Sequence, residues 1–232
     1  MNGTNKVGSL ISQLHQRWRD PAMAALLIVQ CIIVFCLIPA TAFKSAVSAG
    51  IVGVLPLLLS SLVIFVTELE SAVAIGLIAL VMSGVLLALG FFQQRLPVEV
   101  IEEALSITTF LLLTAAVFVT VFAPGPFSAY RALGSIVIYL NIGLLFAVVY
   151  RVISLLSSHV FTGLLPSSDP SSLRATLEYF SFSTLTSVGY GDITPVSPIA
   201  RGFAIFEASI GQLFPATILA RAVTRAMHAR GE

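Results

Sequence analysis

The stretch Thr186-Ser187-Val188-Gly189-Tyr190-Gly191-Asp192 decides how this chain is read. Two glycines flank a single tyrosine, and glycine takes left-handed backbone dihedrals without a Cβ clash. Along a regular strand, successive residues face alternately to either side. Alternating glycine-like and ordinary dihedrals instead turns successive carbonyls to the same side. A row of carbonyl oxygens facing one way is a site for a cation.

Outward from this stretch the chain is apolar. Of its 232 residues, 57% are hydrophobic and 10% charged, with a mean hydropathy of +1.01. Soluble domains carry about 25% charged residues, so the composition points to a membrane protein, and its apolar runs to an all-α one. The net charge of +1 is without a basic patch, which gives no footing for nucleic acid. Cys31 and Cys36 fall in the first apolar run on different helix faces, and they read as buried free thiols.

Apolar segments run over 22–38, 46–66, 72–92, 104–122, 132–156 and 198–223. Each approaches or exceeds the ~20 residues a spanning helix needs, so six spans are expected. Thr67 to Ser71, with Glu68 and Glu70, reads as a tight surface turn between the second and third. Residues 1–20 read as an amphipathic interfacial helix with Trp18 at headgroup level, the alternative being a partly disordered leader. No cleavable leader is expected, and Asp20-Pro21 caps the first span. Residues 21–122 form a four-helix peripheral bundle, 123–131 a short linker broken by Pro124-Gly125-Pro126, and 132–232 the C-terminal domain.

With an even number of spans, both termini share a side. Placing them in the cytoplasm puts Lys6, Arg17, Arg19, Arg131, Arg221, Arg225 and Arg230 inside and Lys44, Arg95, Arg151, Arg174 and Arg201 outside, a modest bias of the expected sign. Arg131 and Arg151 are expected to snorkel to opposite interfaces. Asn141, polar within the fifth span, is expected to hydrogen-bond another helix or to serve a function. His159 and His228 read as exposed and idle.

The quoted stretch resembles the potassium-channel selectivity filter, with Ser187 where the commonest pattern has threonine. The resemblance is specific from about Arg174 to Arg225. It implies that the carbonyls of Ser187, Val188, Gly189 and Tyr190 form stacked potassium sites, with the Ser187 hydroxyl as the innermost ring and Gly191 closing the outer mouth. Asp169-Pro170 would start a re-entrant pore helix running to about Thr184, its C-terminal carbonyls pointing to the cavity. Thr186 precedes the filter. Tyr179 and Phe180 would contribute to an aromatic cuff, and Asp192 would tie the filter to the pore helix or be a solvated loop carboxylate. Ser183 stands where some relatives carry a glutamate.

Gly211 matches the family's inner-helix hinge position, and Pro215 is a second kink site. The two are expected to line the cavity and bend in gating, the alternative for Gly211 being close helix packing. Glu207 is either a structural hydrogen-bonding group facing the pore helix or a cavity charge or proton sensor. The fourth span has no Lys or Arg, whereas voltage-gated relatives carry an arginine ladder there, so no voltage sensor is expected. The short linker implies that each peripheral bundle packs on its own pore without domain swapping. With the sequence ending at Glu232, no folded regulatory module is expected.

The resemblance thus implies a homotetramer that conducts potassium selectively and passively. Potassium ions and membrane lipids would be its partners, and there would be no cofactor and no enzymatic activity. A potassium transporter subunit and a non-conducting or modulatory channel subunit are the alternatives.

Overall fold

The computed structural model describes residues 21–37, 70–90, 96–123, 128–157, 159–164 and 170–228, with Leu59 and Val63. Helix α1 covers Pro21–Cys36 and widens into a π-turn over Ile33–Leu37. Helix α2 is Glu70–Gly90, α3 Leu96–Phe122, and α4 Ala129–Leu156. A two-residue strand β1, Phe161–Thr162, leads to helix α5, Pro170–Leu185. Strand β2, Thr194–Pro195, pairs antiparallel with β1, and α6 runs over Pro198–His228.

Three of these helices are long and apolar enough to cross a membrane: Ile101–Phe122, Ala129–Leu156 and Pro198–Thr224. The first and third expected spans appear as shorter apolar helices, Pro21–Cys36 and Ser71–Val85. The amphipathic helix over 1–20, the acidic turn at Glu68 and nearly all of the second span lie outside the described residues.

Two boundaries move. Helix α3 begins at Leu96 rather than at Ala104, because Pro97 suits a first helical turn and because Glu102 and Glu103 are buried instead of marking a surface. Helix α4 begins at Ala129, inside the stretch taken as linker, with Arg131 and Ala132 both donating to the Ser128 carbonyl.

Met23 and Leu26 of α1, Leu113, Ala116 and Val117 of α3, and Val137 and Ile138 of α4 form one core, joined by Leu59 and Val63. Lipid tails are as apolar as leucine, so such a core holds by close packing and polar links. One link is buried: Gln30 Nε2 donates to Asn141 Oδ1 over 2.7 Å. Asn141 therefore makes the interhelical bond expected of a polar group within a span.

Charged clamps close both ends of the α3–α4 pair. At one end Arg131 donates to the Ala123 carbonyl, and Arg221 of α6 stacks over the Phe122 ring at 4.7 Å. At the other, Glu103 Oε1 lies 2.8 Å from both Arg151 of α4 and Arg174 of α5. Arg151 does not snorkel: it is 4% exposed, because the Glu103 carboxylate meets it inside the protein. The cysteines are free, but Cys31 is half-buried and Cys36 exposed on the chain, since both lie where α1 turns part of its surface outward.

Candidate functional site

Helix α5 packs between α4 and α6 and ends in a tightening turn. Thr186 N–H bonds the Phe182 carbonyl, and Ser187 N–H bonds Thr184, an i to i−3 contact. The next two amides turn back together, Val188 and Gly189 both donating to the Ser183 carbonyl at 2.9 and 3.1 Å. The peptide bonds are trans, so each carbonyl points opposite to the amide that follows it. The Ser187 and Val188 carbonyls therefore both face away from α5.

The backbone dihedrals give the reason. Positive φ recurs at every second residue: Ser187 at 58°, Gly189 at 55° and Gly191 at 81°. Glycine adopts this region at no steric cost, while Ser187 takes it as an L-residue. Ser187 through Asp192 are exposed on the chain. At the end of α5 the Ser183 carbonyl accepts the returning amides, and the Leu185 carbonyl accepts the Tyr139 hydroxyl at 3.2 Å.

Around this segment, Tyr179 stacks on Tyr190, with centroids 5.9 Å apart and rings 12° from parallel. The Tyr179 hydroxyl also interacts with the Asp192 carboxylate, whose Oδ1 accepts the Ile193 amide. Phe180 does not share the cuff within the chain. Neighbouring helical residues project about 100° apart, and Phe180 is buried edge-on against Tyr150 and Phe161 at 5.0 and 5.1 Å. The outer end is held by the β1–β2 pair, Phe161 opposite Pro195 and Thr162 opposite Thr194. Beside it, a Cβ on Gly163 would lie 1.8 Å from the Asp192 carbonyl oxygen.

Helix α6 meets the site at three residues. Glu207 is fully buried, and its two carboxyl oxygens contact Tyr150 Oη and Ser181 Oγ, each at 2.5 Å. This is the geometry of a structural hydrogen-bonding group facing α5. Gly211 is buried against Leu185, in close helix packing, and α6 runs helical through Pro215. Pro215 lines an apolar groove between α4 and α6 together with Tyr139, Phe214 and Ile218. Gln212, which the motif reading passed over, donates from Nε2 to Ser187 Oγ over 2.8 Å. An amide directly after Gly211 in an apolar helix was the available signal. Ser181, Tyr150 and Glu103 were also passed over, because only packing joins them to the site.

Residues 173–228 match a protein family described as ion channel. Over 81 residues the chain is 46% identical to Protein LctB of Geobacillus stearothermophilus, covering 34% of this chain and 59% of that protein. Over 88 residues it is 41% identical to Protein LctB of Bacillus caldotenax, covering 37% of this chain and 64% of that protein. The matched region is thus less than two thirds of either relative. No solved structure matches. The family match and the apolar helices support an ion channel in a membrane.

Proposed function

We propose, starting from the ion-channel match over residues 173–228, that this chain conducts potassium selectively and passively as a homotetramer in the cell membrane. The carrying observation is the alternation of positive φ at Ser187, Gly189 and Gly191, with the Val188 and Gly189 amides drawn to Ser183. That arrangement leaves a line of carbonyl oxygens on one side, able to replace a potassium ion's water shell. The ion sites in this reading are the carbonyls of Ser187, Val188, Gly189 and Tyr190 with the Ser187 hydroxyl, and Gly191 forms the outer mouth.

One chain supplies one wall of such a filter, and closing it takes further copies around an axis. The nearly bare inner helix supports this reading, since only 11% of its membrane window is buried by its own chain. Helix α3 has no Lys or Arg from Ile101 to Phe122, so it offers no charge ladder for the membrane field to move. Both termini are cytoplasmic in this arrangement, and lipid covers the peripheral helices.

Liposomes containing the purified full chain test the proposal through paired potassium and sodium flux assays. The expected result is potassium flux well above sodium flux. Equal flux of the two ions, or none above empty liposomes, overturns it.

A further inference from the structure

Ser187 departs from the threonine of the filters it resembles, and the difference is mechanical. A β-branched side chain is stiff at χ1, whereas serine has three open wells. A side chain that turns freely about χ1 swings its oxygen out of the ion line as readily as into it. In this chain the hydroxyl is not free: Gln212 Nε2 donates to Ser187 Oγ over 2.8 Å. The donor is itself fixed in place, because the preceding Gly211 is pressed onto the Leu185 carbonyl.

A serine hydroxyl has two lone pairs and one hydrogen. Gln212 occupies one lone pair, which turns the hydroxyl hydrogen aside and leaves the other lone pair for an ion. Both side chains are exposed on the single chain, and within it this hydrogen bond is the contact that relates them. We propose that Gln212 is the positioning residue of the innermost ion ring, its amide supplying the restraint that threonine's methyl would give. The assignment rests on the potassium reading above and adds to it a selectivity determinant on the inner helix.

The test uses the full chain in liposomes as wild type, Q212M, S187T and S187T/Q212M, each read as the ratio of potassium to sodium flux. Loss of one hydrogen bond per subunit is expected to lower the ratio about fivefold in the serine background. In the S187T background the same change should move the ratio less than about twofold, since the methyl already fixes χ1, and the strain of threonine at φ 58° is common to both S187T variants and cancels between them. Q212N, whose shorter amide cannot reach Ser187, should behave as Q212M while keeping a polar surface, which controls for a folding defect. No loss in the serine background, or an equal loss in both, overturns the assignment while the potassium reading stands. A wild type that passes sodium as freely as potassium overturns the potassium reading, and this assignment with it.

Discussion

A Cβ on Gly211 would lie 1.8 Å from the carbonyl oxygen of Leu185, so α6 meets the end of α5 backbone to backbone. The carbonyl has little room to give way, because it also accepts the Tyr139 hydroxyl. Gly211→Ala should destabilise the protein by about 1–3 kcal/mol, the range for overpacking. Gly202, on the same helix with open space where its Cβ would stand, is the control. Gly202→Ala should be neutral or stabilise by up to about 1 kcal/mol. Thermal unfolding of both variants in detergent checks this, and a similar shift for the two would contradict the packing argument.

The Ser181 hydroxyl faces two acceptors, the Gly143 carbonyl at 2.7 Å and Glu207 Oε1. It has one hydrogen, so both contacts are hydrogen bonds only when the Glu207 side supplies a donor. Glu207→Gln supplies one and should keep stability within about 1 kcal/mol. Glu207→Leu strands the Tyr150 hydroxyl in the interior and leaves Ser181 only its bond to the Gly143 carbonyl, and it should cost about 1–3 kcal/mol. A glutamine variant less stable than the leucine variant would refute this account.

Glu103 is shared by two guanidiniums. Its side chain is 4% exposed, as is that of Arg151, while Arg174 is 28% exposed. Removing one partner from a buried pair costs about 3–5 kcal/mol, because the remaining charge stays desolvated. Glu103→Ala should therefore be at the upper end of that range. Arg174→Ala should cost visibly less, since water reaches its site. Chemical unfolding of the two variants side by side gives the order.

At Gly189 a Cβ would meet nothing within 4 Å, yet φ is 55°. Gly189→Ala thus isolates the backbone effect, a left-handed strain of about 1–2 kcal/mol. The expected outcome is a protein that still folds, with its melting temperature lowered by only a few degrees, and that has lost most of its potassium flux. Normal flux in this variant would detach conduction from the alternating dihedrals.

The local features were the readable ones. Gly189 and Gly191 announce positive φ, Pro170 marks a helix start, and the length of 132–156 is enough to find α4. What escaped the sequence depended on partners far along the chain. Glu103 reads as a surface charge until Arg151 and Arg174, 48 and 71 positions on, are folded against it. Phe180 reads as a twin of Tyr179, and only the helical angle between them sends one to Tyr190 and the other to Tyr150. Gln212 reads as an interruption of an apolar helix, because nothing local reveals that Ser187, 25 residues earlier, is within its reach.

The Glu103 clamp also bears on how this architecture could be divided. The stretch from Ala129 to His228 contains both the line of carbonyls and the helices around it, and it looks transplantable as a cassette. Arg151 and Arg174, however, share a carboxylate that belongs to α3. A chimera cut between Ala123 and Ser128 would inherit the cations without the Glu103 carboxylate. Swapping pores between such proteins would then succeed only when the cut falls before Leu96, or when the recipient helix brings an acid of its own to that depth.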